Sequence, residues 1–197
     1  MIAVLPYVIH PKTAVLGRAG GGNALHIYLE NESFQVTFWF RVASFFWVRK
    51  KTLLFPVYVL VKMIYKHIEH KTGIQLPMGT NVGPGLRFFH YNCIVIAQTS
   101  IIGRNVSIHQ GVTIGRVFNG KRAGVPTIGD NVVVFAGAKI VGKVSVCDNA
   151  VIGANAVVTS DIPENAVAAG IPAKVISLNS NKCFDEYWGN YFAHHYT

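Results

Sequence analysis

From Ile96 to Val158 the aliphatic residues return at every sixth position. Ile96, Ile102, Ile108 and Ile114 share one phase; after a break, Ile128, Val134, Ile140, Val146, Ile152 and Val158 share it again. The residue after an anchor is often Gly, as at Gly103, Gly115, Gly129 and Gly153. Two positions before an anchor the side chain is small or β-branched: Ser100, Val106, Val112, Val132, Ala138, Val144, Ala150 and Ala156. A period of six matches neither the 3.6 of a helix nor the 2 of an ordinary strand. It predicts a mainly β chain, a parallel β-helix of hexapeptides with three to a triangular coil of about eighteen residues. Each short strand then pairs with the coil above at about 4.8 Å. A β-sandwich with Val-rich strands is the bland alternative, and ten anchors in phase weigh against it.

Two departures from the period matter. Leu76, Val82 and Phe88 are six apart, but the phase slips by two residues before Ile96, around Phe88-Phe89-His90-Tyr91-Asn92. Residues 116 to 127 break the repeat again, and in a solenoid such an insertion becomes a loop on one corner, often on the binding face. Gly permits positive φ at the corners, and Asn tolerates it; Asn105, Asn131, Asn149 and Asn155 fall there. The repeat is expected to end after Val158, with 162 to 176 as an exit segment and a polar, aromatic tail to Thr197.

The N-terminal part reads differently. Residues 1 to 9 are apolar, but Pro6 interrupts them and no basic run precedes them, a poor secretory signal. Pro11 and Gly20-Gly21-Gly22 predict a loop. Residues 25 to 70 predict two helices, with Ser33 as a candidate cap. Their apolar runs, Val36 to Trp47 and Leu53 to Val61, are followed by Arg49, Lys50 and Lys51 and by Lys62 and Lys66. Neither run approaches the roughly 20 apolar residues of a membrane span. They predict helices packed on each other and on the β-helix end, with peripheral contact to an anionic membrane as a compatible alternative. The expected division is a helical segment over 1–70, a β-helix domain over 71–178 and a tail over 179–197.

Composition narrows the partners. The 197 residues are 51% hydrophobic and 14% charged, which excludes a disordered chain. A net charge of +9 suggests an anionic ligand or surface. The aromatics do not alternate with basic residues along a sheet, and no nucleic-acid module is present, so nucleic acid is not expected. Three scattered cysteines, Cys93, Cys147 and Cys183, form no CxxC pair. They point to a reducing, cytoplasmic compartment, with the inner face of the membrane as the place of any surface contact.

The coils, together with Ala169-Gly170-Ile171-Pro172-Ala173-Lys174, resemble the hexapeptide-repeat acyltransferases. Gly73-Ile74-Gln75, Phe88-Phe89-His90, Val106 to Gly115 and Phe135 to Ile140 are similar to the serine acetyltransferase branch, over about residues 37 to 178. The resemblance implies a left-handed β-helix, a homotrimer with active sites between subunits, and acetyl-CoA as the donor. It implies that His90 is the catalytic base, a role that suits neutral imidazole. His109, nineteen residues on, is a second catalytic candidate, against a plain surface histidine. For CoA it implies small residues along the groove, Gly115, Ala136 and Ala154, with Lys139 and Lys174 meeting the phosphates. No metal site is expected, because the histidine pair of the carbonic anhydrase relatives is missing.

The chain departs from true serine acetyltransferases at several positions. Phe89 stands where that family carries Asp, Gln75 where it carries Asp, Pro77 where it carries His, and Val125 where its loop carries a substrate-side His. Glu30 or Glu32 is a candidate replacement carboxylate. These losses favour a sugar hydroxyl as acceptor, as in the short enzymes that acetylate bacterial surface polysaccharides, over the hydroxyl of serine. A non-catalytic β-helix scaffold is the alternative from another class.

Overall fold

In a computed structural model, residues 31–49 and 53–181 are described. Glu30, the helical expectation over 25–30, Cys183 and the tail from 182 lie outside them. Helix α1 spans Glu32–Val48 and α2 spans Phe55–Thr72. The cap of α1 is Asn31, not Ser33. Asn31 has extended φ and ψ, and its side chain accepts from the Phe34 N–H at 2.9 Å. Ser33 lies too far inside the helix to cap it. Its hydroxyl instead accepts from the Phe88 N–H at 2.8 Å, tying α1 to the first coil.

The strands form three parallel sheets, one per side of the triangle. The first holds β1 (Ile74–Gln75), β4 (Ile94–Ile96), β7 (Thr113–Gly115), β10 (Lys139–Val141) and β13 (Val157–Val158). The second holds β2 (Asn81–Val82), β5 (Ile101–Ile102), β8 (Thr127–Ile128) and β11 (Ser145–Val146). The third holds β3 (Arg87–Phe88), β6 (Ser107–Ile108), β9 (Val133–Val134), β12 (Val151–Ile152) and β14 (Val167–Ala169), closed by the antiparallel β15 (Lys174–Ser177). All ten anchors from Ile96 to Val158 are at most 1% exposed, and the small residues two positions earlier are buried with them. Each coil alone has no interior; stacking makes one continuous core.

Register accounts for the two breaks. Ile96 pairs with Ile114, eighteen residues on, and Ile128 with Val146, again eighteen. Phe88 pairs with Ile108, twenty residues on, so the first coil carries two extra residues in the corner between β3 and β4. Ile102 pairs with Ile128, so the next carries eight more, in the loop between β7 and β8. That loop is a short hairpin with a Val117–Gly124 bridge. Arg122 pins it by donating to the Asp161 carboxylate at 3.0 Å. Asp161 also accepts from the Ser145 N–H, and these two contacts hold its carboxyl below the usual range.

The repeat continues beyond Val158, contrary to expectation. Ile162 bridges Val146, and Ile152 pairs with Ala168, sixteen residues on. A shortening by two residues moves the last anchors out of the six-residue phase while keeping them in the stack.

The corner between the second and third sheets carries an asparagine ladder. Asn105, Asn131, Asn149 and Asn165 all have φ near 55°. Each amide donates to the next side-chain carbonyl, at 3.0, 3.0 and 3.1 Å. The glycines that follow anchors serve another purpose. Gly103 and Gly129 are not at positive φ; a Cβ on Gly103 would stand 2.4 Å from the Gly129 carbonyl oxygen. Close stacking of coils, not backbone handedness, demands them.

The helices close the open lower end. Val36, Phe40 and Ala43 of α1 and Tyr65 and Ile68 of α2 join the core. Arg41 donates to the Val82 and Gly83 carbonyls, both at 2.5 Å. The buried Tyr65 hydroxyl donates to the Leu76 carbonyl, and burial pushes its pKa up. Buried Glu69 accepts from the Leu76 N–H at 3.1 Å and from Lys66. These groups satisfy first-coil backbone that no lower coil can reach.

The ladder makes a stability prediction. Asn131→Ala removes two amide contacts and puts a Cβ-bearing residue without a polar side chain at positive φ; it should cost about 2–3 kcal/mol. Asn131→Gly, which relieves only the backbone cost, should recover about 1 kcal/mol of that in chemical denaturation.

Candidate active site

The two extra residues at the first corner present a histidine. His90 follows β3 and is exposed, and Asn92 and Cys93 beyond it have φ of 121° and 53°. Such angles in non-Gly residues mark a corner held against local preference. Register places Phe89 beside His109 and His109 beside Phe135, because Phe88, Ile108 and Val134 pair in the interior. The three rings stack outside the third sheet, with centroids 5.0 Å apart for Phe89–His109 and 5.1 Å for His109–Phe135. The His90 ring lies 6.2 Å from that of His109. Burial between the two phenyl rings, with His90 nearby, pushes the His109 pKa down to about 4. His109 is therefore neutral at pH 7.

The same corner continues up the helix as a column. The Gly111 N–H donates to Asn92, Gly137 to Gln110 and Asn155 to Ala136. Ala136 and Ala154 thus lie above the His90 corner, in successive coils. Lys139 enters the column, its Nζ donating to the Gly111 carbonyl. Lys174 is exposed on β15, opposite Ala169 near the top. Gly115 is the exception. It ends β7, at the next corner of the triangle, beside Val141. The structure thus gathers six of the seven expected site residues along one edge and leaves Gly115 apart.

No carboxylate among the described residues contacts His90. Glu32 opens α1 next to Ser33, yet no ion pair or hydrogen bond joins it to the histidine. Phe89 and Phe135 were not expected as site residues. The signal was available: Phe89, His109 and Phe135 each stand one position after an inward anchor, Phe88, Ile108 and Val134, and these three anchors pair in one sheet. No cluster of three or more metal-ligating side chains occurs among the described residues.

Comparison with known proteins settles the family. Residues 126–160 match the bacterial transferase hexapeptide (six repeats). A serine acetyltransferase of Helicobacter pylori is 43% identical over 122 residues, 61% of this chain and 70% of the relative. The chain belongs to the serine acetyltransferase family. A Staphylococcus xylosus relative of the same name is 37% identical over 125 residues, 64% of this chain and 58% of its own length. A solved serine acetyltransferase in complex with CoA superposes with a TM-score of 0.64 at 32% identity, covering 75% of this chain and 58% of its own. The Neisseria gonorrhoeae enzyme in complex with serine gives 0.72 at 25% identity, covering 89% and 70%. The chain therefore spans between 58% and 70% of the length of these relatives.

With the family come the left-handed β-helix and the acyltransferase class, and the non-catalytic alternative falls. The expectation of a sugar acceptor in surface-polysaccharide synthesis is overturned, since the relatives are named serine acetyltransferases at 36% to 43% identity. That expectation gave too much weight to a few side-chain losses. Those changes leave the corner and its histidine in place, because the coil backbone is fixed by register.

The depressed His109 pKa has a measurable consequence. The folded state binds its proton only near pH 4, whereas the unfolded chain binds it near 6.5, so the native state loses stability as pH falls through that window. Solvent screening of this half-buried ring limits the effect to on the order of 1–2 kcal/mol. His109→Phe should lack this component, so the stability difference between variant and parent in urea should move in the variant's favour from pH 7 to pH 4.

Proposed function

We propose that this chain transfers the acetyl group of acetyl-CoA to the hydroxyl of L-serine, with His90 as the general base. The observation that carries the reading is His90 at an extruded corner, at the foot of a column of small residues and lysines. Family membership supports the donor and the acceptor. Solved relatives are described with CoA and with serine.

The chemistry balances on one proton. Neutral His90 takes the proton of the serine hydroxyl as the oxygen attacks the thioester carbonyl. The tetrahedral adduct collapses, the C–S bond breaks, and the imidazolium returns its proton to the departing thiolate. O-acetylserine and CoA leave, and His90 is neutral again. His109 suits a place 6.2 Å away because it does not protonate at pH 7. A second cation there would oppose the imidazolium that forms on His90.

Ala136 and Ala154 are the positions where the pantetheine arm approaches the backbone, and Lys139 and Lys174 are the candidate phosphate contacts. Gly115 stands at another corner, opposite Val141; a CoA contact there suits the cleft between copies in the homotrimer expected from the sequence. The β-helix over 71–178 is the catalytic unit in this reading. The free, exposed thiols of Cys93 and Cys147 support a reducing compartment.

The purified protein should release CoA from acetyl-CoA with L-serine and form O-acetylserine by mass spectrometry. His90→Ala should lower kcat by about 10²–10⁴-fold while CoA still binds in calorimetry. Absence of turnover on L-serine by folded, CoA-binding protein would sink the reading.

A further inference from the structure

We infer that the tip of the α1–α2 hairpin docks onto an anionic lipid surface. The last residue of α1, the two described residues before α2 and the first half of α2 expose large apolar side chains. Val48 is 77% exposed, Leu53 97%, Phe55 54%, Leu60 60% and Met63 66%. The opposite face of α2, with Tyr58, Val61 and Tyr65, is buried against α1 and the first coil. The exposed residues are therefore surplus to the core. Scattered apolar residues on a surface need no explanation, but a set running from the end of α1 onto the outer face of α2 marks a contact site.

Charge selects the occupant. Between Glu32 and Glu69 the sequence holds Arg41, Arg49, Lys50, Lys51, Lys62 and Lys66, and no Asp or Glu. Arg41 is committed to the first coil. Arg49 lies at the exposed end of α1, its guanidinium over the Phe45 ring. On α2, exposed Lys62 neighbours Met63 on the same side. Lys66, one turn on, keeps 51% of its side chain in solvent while it donates to Glu69. A second copy of the same tip would set these cations against each other. A layer of anionic headgroups would neutralise them while the apolar side chains enter its edge and the lysine stems reach outward. No helix among the described residues is long and apolar enough to cross a membrane, so the contact is one of lying on the surface.

The hairpin also sets the distance. Ser33 binds Phe88, two residues before His90, at one end of α1, and Trp47 packs on Gly79 near the other. Seventeen residues at 1.5 Å rise make α1 about 25 Å long. The docked tip leaves the His90 corner clear of the lipid.

The test is flotation of the full chain with vesicles of phosphatidylcholine, with and without phosphatidylserine. The parent should float with the anionic vesicles, weakly with the neutral ones, and less at high salt. The double variant Leu60→Glu/Met63→Glu and the single Lys62→Glu should each reduce binding by about tenfold or more, with circular dichroism and thermal melts showing an intact fold. Equal binding by the double variant would overturn the proposal, as would absence of parent binding to anionic vesicles. A parent assembly that the double variant dissolves, without vesicle binding, would assign the face to a second copy instead.

Discussion

The structure depends on the register of inward aliphatic side chains from one coil to the next. Strands of two or three residues cannot persist alone; they exist because every backbone group finds its partner in the coil above or below. Once the anchors stack, chain length between them has only one outlet, the corners. Two extra residues produce the His90 corner, eight produce the pinned hairpin at 116–126, and two fewer bring the last coil into place. The helices obey the same constraint, for they satisfy the face of the first coil that has no lower neighbour.

Most of this was legible in the sequence, because a buried anchor leaves a periodic mark. The positions of Asn105, Asn131, Asn149 and Asn155 were legible for the same reason, since few other residues accept that backbone angle. The side-chain ladder was not, as it depends on which corners stack. The final coil escaped because Ile162 and Ala168 keep spatial register while losing sequence phase. The helix cap was misplaced by two residues, since Ser33 and Asn31 are both good caps and only the fold gives Ser33 another partner.

The site shows a similar division. That His90 and His109 are neighbours follows from coil arithmetic. That His109 lies between two phenyl rings follows from the same arithmetic applied one position past each anchor. What the sequence could not weigh was the acceptor. The absent carboxylates are local, while the similarity to serine acetyltransferases extends over 122 residues. The edge that holds His90, Ala136 and Ala154 is set by backbone pairing and survives changes of the side chains around it. Electrostatically, the missing negative charge near His90 is accompanied by a neighbour, His109, that stays uncharged.

The first coil's longer corner has a geometric consequence. The two extra residues between β3 and β4 lie outside the interior stack, since Phe88 still pairs with Ile108 and Ile74 with Ile94. A change of length there would move His90 without requiring a change in any inward side chain of the stack.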